Sequence, residues 1–330
     1  MHHIYIMVLG DGNKADGMLK KFVLNTYGNV PPEDGLSNVY HMVKTIAPII
    51  DDSNEIFEKS VILVAGIPNL YTHLLSLKHV NICFTTYEFA PLPYDWIMAL
   101  NVNFMAVIVP HESVKNIFLS SGVQIPIYVV GQGHTYLPNM NVADEEEEAF
   151  VLGFLGVPVP RKNLDLIIKA VEELNETFLI RIKVHISSLY EWFEDKDFIN
   201  LLKCHPLVIY SEGYKTKEEI ANWYQSLNAY IFPSSGEGWS FTPRESLSLG
   251  IPTIISDIPV HEVLIPYCCV VEMEISVEAI KKSINLLRDN HSIYKEKAMS
   301  GQRWIADQYH ETQMNQALIK IMDKYAAFEY

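Results

Sequence analysis

The sequence predicts an α/β protein built from two doubly wound domains. Its 330 residues exceed the usual size of one hydrophobic core. Short apolar runs alternate with helix-like stretches, and the alternation restarts after a run of acidic residues at positions 144–148. Adjacent carboxylates repel one another, so we interpret this run as a solvated connector between the two domains.

The strands predicted in the first half are nearly all apolar rather than alternating. Such runs are typical of a parallel sheet that is covered by helices on both faces. The predicted strands span residues 3–9, 61–65, 80–84, 106–109 and 127–130. The helix-like stretches between and after them span residues 37–50, 69–77, 94–101 and 113–121.

The second half repeats this order. Its predicted strands span residues 150–155, 179–186, 207–210, 229–232 and 253–256. Its predicted helices span residues 163–175, 198–203, 217–227, 243–249, 277–290 and 294–328. We therefore expect a second doubly wound sheet of similar size, with ligands bound beyond the carboxyl ends of its strands.

The composition excludes several classes of protein. Hydrophobic residues at 49% and charged residues at 20% describe a soluble, folded chain. The 25 basic and 40 acidic residues give a net charge of −15, which disfavours a protein that binds duplex nucleic acid or a broad anionic lipid surface. All arginines lie in the second half, at positions 161, 181, 244, 288 and 303. A guanidinium that binds a phosphate therefore comes from that half.

The sequence also bears on compartment. The apolar run at residues 4–9 is too short for a signal peptide, and no stretch approaches the roughly eighteen apolar residues of a membrane span. The four cysteines (83, 204, 268 and 269) show no C-x-x-C or zinc-finger spacing. We therefore expect reduced, buried thiols and a cytoplasmic protein without a membrane span or a bound metal.

The most informative segment joins a buried strand to a helix between residues 231 and 262. The strand ends in Pro233-Ser234-Ser235, and a loop with Gly236 and Gly238 precedes the predicted helix. A helix N-terminus presents free N–H groups and partial positive charge, so this junction suits an anionic ligand. Glu237 and Glu245 lie eight residues apart, and a carboxylate accepts hydrogen bonds well from the hydroxyls of a sugar or ribose.

Structural alternatives exist for several of these residues. Thr242-Pro243-Arg244-Glu245 matches a capping box, in which Glu245 caps the helix instead of binding a ligand. Trp239 and Phe241 fit packing residues as well as stacking platforms. Asp195-Lys196-Asp197 has the Asp-x-Asp spacing of a metal site, but it lies in an acidic amphipathic stretch and we interpret it as a helix surface.

The segment from Glu237 to Glu262 resembles the signature of the retaining glycosyltransferases of family 4, a group 1 family with the GT-B fold. The E-x7-E motif of that family corresponds to Glu237 and Glu245. As in the family, Gly250-Ile251-Pro252 follows, then a strand and a loop that ends in Glu262. Residues 150–168 are similar to the first strand of the family's nucleotide domain with its basic loop.

The resemblance implies the GT-B fold, in which two Rossmann-like doubly wound domains face each other across a cleft. Residues 1–143 would then form the N-terminal, acceptor-binding domain. Residues 149–305 would form the C-terminal domain that binds the nucleotide sugar. The C-terminal helix, residues 306–330, would pack back on the N-terminal domain.

The resemblance also implies roles for single residues. The implied catalytic residues are Glu237, which contacts the transferred sugar, and Lys162 with Arg161, which hold the donor diphosphate. The other implied donor-binding residues are Glu245 at the ribose, Gly238, Trp239, Ser240 and Phe241 in the loop, and Tyr214 near the base. On the acceptor side they are Thr85, Thr86 and Gly12, with the loop Asp34-Gly35-Leu36-Ser37 as an equal alternative to Gly12.

The resemblance implies a hexosyltransferase-type enzyme that moves a sugar from a nucleoside-diphosphate sugar to an acceptor hydroxyl. It implies that the anomeric configuration of the sugar is retained and that no metal or other cofactor is needed. The acceptor stays open among a glycan, a protein and a small molecule, and a homo-oligomer stays open as well. The family's usual Arg is replaced here by Val157 or Pro158, and its usual His by Thr85. The missing Arg and His leave open a catalytically silent, sugar-nucleotide-binding partner subunit. A sugar-nucleotide epimerase on the same fold is a further alternative.

Overall fold

The computed structural model describes residues 4–10, 21–27, 60–69, 72, 75, 80–133, 137–139, 149–186 and 195–326. Several features of the sequence analysis lie outside these residues: the predicted helix at 37–50, most of the predicted helix at 69–77, the acidic run at 144–148 and Gly12. The chain divides into two units. One comprises Met1–Thr135 with Tyr309–Tyr330, and the other comprises Tyr136–Gln308.

The described strands and helices are as follows. The strands are β1 (Ile4–Gly10), β2 (Lys21–Tyr27), β3 (Ser60–Ala65), β4 (Val80–Phe84), β5 (Ala106–Val109), β6 (Ile127–Val129), β7 (Phe150–Leu155), β8 (Ile180–Ile186), β9 (Val208–Glu212), β10 (Ala229–Phe232), β11 (Thr253–Ser256) and β12 (Cys269–Val271). The helices are α1 (Tyr94–Asn103), α2 (Glu112–Ser120), α3 (Leu164–Leu174), α4 (Lys196–Cys204), α5 (Lys217–Gln225), α6 (Phe241–Ser248), α7 (Val277–Asp289), α8 (His291–Gln308) and α9 (Glu311–Ala326).

The first unit contains a six-stranded sheet in the order β2-β1-β3-β4-β5-β6. Strands β3 to β6 are parallel, as predicted. Strand β1 instead runs antiparallel to both β2 and β3, so the prediction of a parallel first strand is wrong. An apolar run indicates burial on both faces but carries no information about strand direction. Strand β2 was not predicted.

The C-terminal helix α9 belongs to this first unit. Leu318 and Met322 are fully buried, and Lys324 donates a hydrogen bond to the hydroxyl of Tyr128 on β6 over 2.8 Å. The predicted single helix at residues 294–328 is two helices, α8 and α9, with Tyr309 and His310 between them. His310 accepts a hydrogen bond through Nδ1 from the backbone N–H of Thr312, so a side-chain cap starts the new helix.

The second unit contains six parallel strands in the order β12-β11-β10-β7-β8-β9. Its buried core includes Phe154, Ile182, Tyr230 and Ile254. From β7 the chain continues to β8 and β9 on one side, and then β10 returns to pair with the other side of β7. The sheet therefore has its topological switch point between β7 and β10, which is where α/β sheets bind ligands.

Three further predictions concern the thiols, the Asp195-Lys196-Asp197 motif and membrane spans. Cys83, Cys268 and Cys269 are buried as expected, whereas Cys204 at the end of α4 is exposed. Asp195 caps α4, since its carboxylate accepts a hydrogen bond from the backbone N–H of Phe198 over 2.9 Å. Among the described helices, none combines the length and the apolar composition that a bilayer crossing requires.

Candidate active site

The loops that follow β7 and β10 are joined by hydrogen bonds at the switch point. A short 3₁₀ helix, Pro160–Lys162, ends the first loop. Asn163 follows in the left-handed conformation with φ of 54°, and its amide donates to the carbonyl of Pro233 over 2.7 Å. The backbone N–H of Ser235 donates to the carbonyl of Arg161 over 2.7 Å. These hydrogen bonds therefore hold the two loops together at the switch point.

The carboxylate of Glu237 is held by residues of both loops. The fully buried Ser234 donates its hydroxyl to Oε1 of Glu237 over 2.9 Å. The guanidinium of Arg161 contacts the same oxygen and also donates to the carbonyl of Gly236 over 2.8 Å. Only 10% of the Glu237 side chain is exposed. The structure thus brings together two of the residues predicted for the site, Arg161 and Glu237.

The ammonium group of Lys162 lies beside the backbone of Gly156. A Cβ at Gly156 would stand 2.7 Å from Nζ of Lys162, and Gly156 has a φ of +140° that side chains rarely adopt. The ammonium also lies over the ring of Phe232, 5.5 Å from its centre. Gly156 thus leaves the space that the Lys162 side chain uses, a role that the sequence analysis missed.

Helix α6 begins at Phe241, two residues earlier than predicted. Its N-cap is Ser240, which has a φ of 64° and makes no side-chain capping hydrogen bond. The predicted capping box is therefore wrong, because Thr242 and Glu245 both lie inside the helix. The first turn is left without a capping side chain, so its N–H groups and partial positive charge suit an anion.

A buried histidine holds the N-cap in place. Nε2 of His261 lies 2.8 Å from the hydroxyl of Ser240, and Nδ1 lies 2.9 Å from the carbonyl of Ser256. A carbonyl only accepts, so Nδ1 carries the proton and Nε2 accepts the Ser240 hydroxyl. His261 is fully buried. It joins the start of α6 to the end of β11, a role that no motif in the sequence indicated.

The loop that contains Gly236 and Gly238 is also stabilised by a buried cation. Arg244 is 1% exposed, and its guanidinium lies 3.9 Å from the centre of the Trp239 ring. It donates to the carbonyl of Ser240 over 3.0 Å and also to the carbonyl of Trp239. Trp239 is itself buried, and its ring packs on Arg244. Arg244 therefore supports the loop from within the protein and adds positive charge close to the start of α6.

Glu245 is half-buried in the second turn of α6. Burial raises the pKa of this carboxyl group, and a hydrogen bond from Tyr224 partly opposes the rise. The Tyr224 hydroxyl donates to Oε2 of Glu245 over 2.9 Å. Tyr224 is fully buried, and burial together with the negative charge of Glu245 raises its own pKa. Tyr224 is thus a donor to Glu245 throughout the normal pH range.

A family model described as glycosyl transferases group 1 matches residues 138–306, about half of the chain. These residues include both loops of the switch point and the whole of α6.

This chain belongs to the group 1 glycosyltransferases.

A curated relative of this glycosyltransferase is the O-antigen biosynthesis glycosyltransferase WclY of Escherichia coli. The two are 24% identical over 173 residues, which cover 50% of this chain and 46% of WclY. The chain spans about half the length of the curated relatives that it matches.

Solved structures show the fold of this glycosyltransferase. Alr3699/HepE of Anabaena, in complex with UDP and glucose, has a TM-score of 0.65 at 11% identity, covering 75% of this chain and 72% of HepE. Sucrose-phosphate synthase of Thermosynechococcus elongatus has a TM-score of 0.62 at 14% identity, covering 76% of this chain and 68% of the synthase. These likenesses confirm the predicted GT-B fold with two Rossmann-like domains.

The remaining predicted residues of this glycosyltransferase lie elsewhere. Tyr214 follows β9 in the second unit and is 59% exposed. Thr85 and Thr86 follow β4 in the first unit. Thr85 is buried, and its backbone N–H donates to the carbonyl of Ile108 over 3.0 Å. The hydroxyl of Thr86 is buried and has no hydrogen-bond partner within the described part of the chain.

Proposed function

We propose that this chain is a retaining glycosyltransferase that moves a sugar from a nucleoside-diphosphate sugar to a hydroxyl group of an acceptor. The observation that carries the proposal is the arrangement at the switch point of the second unit. There Glu237, Glu245 and the uncapped start of α6 belong to one loop-and-helix segment that also matches the family model. Lys162 lies on the neighbouring loop, which is hydrogen-bonded to this segment.

The diphosphate of the donor would lie at the N-terminus of α6. When the bond between the sugar and the β-phosphate breaks, negative charge develops on the departing phosphate oxygen. The partial positive charge of α6 and the ammonium of Lys162 stabilise that charge. Because they are fixed in advance, they need no rearrangement during the reaction. In this proposal they do the work that a metal ion does in other transferases.

The two carboxylates would hold the rest of the donor. Glu237 would accept hydrogen bonds from hydroxyls of the transferred sugar, and Glu245 from hydroxyls of the ribose. The acceptor hydroxyl would then attack the sugar on the face from which the diphosphate leaves. Its oxygen forms the new glycosidic bond while its proton passes to the leaving phosphate oxygen. Orientation of the two reactants supplies much of the rate enhancement in this scheme.

HepE and WclY indicate which donor and acceptor compounds to test first. The HepE structure contains UDP and glucose, so UDP and UDP-glucose are the first donor compounds to test. WclY is named for O-antigen biosynthesis, which favours a glycan over a protein or a small molecule as the acceptor. We propose Tyr214 near the base of the donor, and Thr85 and Thr86 on the acceptor side.

A binding panel followed by a turnover assay tests this function. Thermal shift with the nucleoside diphosphates and their sugar nucleotides should show stabilisation by one base, and Glu245→Ala should lose it. Glu296→Ala, which removes an exposed carboxylate from α8, is the matched control and should keep the shift. Slow hydrolysis of the preferred donor in EDTA, with the anomeric configuration retained by NMR, supports a metal-independent transferase. Binding without turnover would indicate a silent subunit, and interconversion of two sugar nucleotides would indicate an epimerase.

A further inference from the structure

The Glu237 carboxylate is anchored through one oxygen. Oε1 accepts the hydroxyl of Ser234 over 2.9 Å and contacts the guanidinium of Arg161. Ser234 is fully buried, and its hydroxyl also lies 3.1 Å from the carbonyl of Gly236. Two donors at one oxygen fix the orientation of the carboxylate and leave Oε2 as the oxygen that can be offered to a hydroxyl group.

Arg161 contacts the same loop through both its backbone carbonyl and its side chain. Its carbonyl accepts the backbone N–H of Ser235 over 2.7 Å, and its guanidinium donates to the carbonyl of Gly236 over 2.8 Å. The side chain is 24% exposed, which leaves little of it open to solvent. These contacts place Nη1 of Arg161 on the loop that carries Glu237.

Lys162, the next residue, makes contacts of its own. Its ammonium lies beside the backbone of Gly156 and over the Phe232 ring, 5.5 Å from the ring centre. It is therefore the adjacent cation with which a change at Arg161 can be compared.

We propose that Arg161 and Ser234 are positioning residues that fix Glu237 for the transferred sugar. The inference rests on the proposed function. It gives Arg161 a role other than the one that the family resemblance implies. It also adds Ser234, for which the E-x7-E motif assigns no role.

Calorimetry with UDP and UDP-glucose separates the positioning of Glu237 for the sugar from the binding of the diphosphate, because only UDP-glucose carries the sugar. Lys162→Gln should weaken both ligands by about tenfold or more, as expected when a charged hydrogen bond is lost. Arg161→Gln and Ser234→Ala should leave UDP affinity within about twofold and remove the expected preference for UDP-glucose over UDP, and we expect the same of Glu237→Gln. Arg161→Lys should restore part of that preference, which a purely structural role would not predict.

A double-mutant cycle provides a readout that needs no ligand. Arg161→Gln and Glu237→Gln should shift the urea midpoint of unfolding by less together than the sum of the single shifts. Strictly additive shifts would overturn the inference, and so would a loss of UDP affinity in Arg161→Gln equal to that in Lys162→Gln. In both cases UDP binding by the wild-type chain would leave the proposed function standing. If the wild-type chain binds none of the nucleotide panel, the proposed function and this inference fall together.

Discussion

The hydroxyl of Tyr224 donates a hydrogen bond to Oε2 of Glu245 over 2.9 Å. Tyr224 lies on α5 and Glu245 on α6, so the bond joins two helices. It holds the carboxylate from the inside of the protein. The bond orients the Glu245 carboxylate, as our proposal that it binds the ribose of the donor requires.

Tyr224→Phe should weaken nucleotide binding, and more so at low pH. The hydrogen bond from Tyr224 lowers the pKa of Glu245 against the effect of burial, so its removal lets that pKa rise further. A larger fraction of Glu245 is then protonated as the pH falls, and a protonated carboxyl group accepts hydroxyls poorly. We expect a loss of about 1 kcal/mol in the free energy of unfolding at neutral pH as well.

Calorimetry of UDP binding between pH 5.5 and 8 measures this effect. Tyr210→Phe is the matched control, because it removes a hydroxyl that donates to an exposed carboxylate, that of Glu212, over 2.6 Å. Identical pH dependence of UDP affinity in Tyr224→Phe and the wild-type chain would count against a role for the Tyr224–Glu245 bond in binding.

Gly156→Ala should displace Lys162. The new Cβ would stand 2.7 Å from the ammonium nitrogen, a distance that forces the side chain to move. We expect UDP affinity to fall about tenfold, as for loss of the lysine contact itself. Gly122→Ala is the control, since Gly122 also has a left-handed φ, of +98°, but nothing lies within 4 Å of its Cβ position. Equal UDP affinities in the two variants would contradict this account of Gly156.

Arg244→Met should destabilise the protein by about 1–3 kcal/mol, because it removes the guanidinium donor from the buried carbonyls of Trp239 and Ser240. Arg288→Met is the matched control. Arg288 also lies 3.9 Å from the centre of an aromatic ring, that of Phe178, but it is on the surface and pairs with Asp289. Its loss should cost less than about 1 kcal/mol. Urea unfolding measures both, and equal losses would exclude a special role for Arg244.

The central strands of the second unit could be predicted from the sequence. Strands β7, β10 and β11 have the predicted bounds because they are short, continuous apolar runs. Strand β12 was missed because its three residues, Cys269–Val271, are too few to form a pattern. The direction of β1 was missed because direction depends on pairing partners and not on the apolar residues themselves.

The supporting residues of the site escaped prediction for a different reason. His261 reaches Ser240 from 21 residues away, and Tyr224 reaches Glu245 from the preceding helix. Such contacts exist only in the folded chain. They also explain the error at α6, because a tertiary contact to Ser240 holds the helix start two residues before the position that the local Thr-Pro pattern favours.

His185 should make stability fall as the pH is lowered. Burial and the charge of Lys215 lower the pKa of His185 from its ordinary 6.5 to about 4. As the pH falls below 6.5, His185 becomes protonated in the unfolded chain, whereas in the folded chain it stays neutral until about pH 4. The free energy of unfolding therefore decreases as the pH falls from about 6.5 to about 4.

We expect this group to contribute a loss of roughly 2 kcal/mol between pH 7.5 and pH 5. His185→Gln should show a correspondingly shallower decrease in the free energy of unfolding, as measured by urea titration at the two pH values. The same slope in the variant and the wild-type chain would show that His185 titrates normally in the folded state.

The central claim is that a nucleotide sugar binds at the switch point between β7 and β10, on Lys162, Glu237, Glu245 and the first turn of α6. A crystal structure of the chain with UDP-glucose, or with the sugar nucleotide that the panel selects, tests it most directly. We predict the diphosphate at the N-terminus of α6 within hydrogen-bonding distance of Lys162, with the ribose at Glu245. A ligand bound at any other edge of the second unit, or in the first unit, would contradict it.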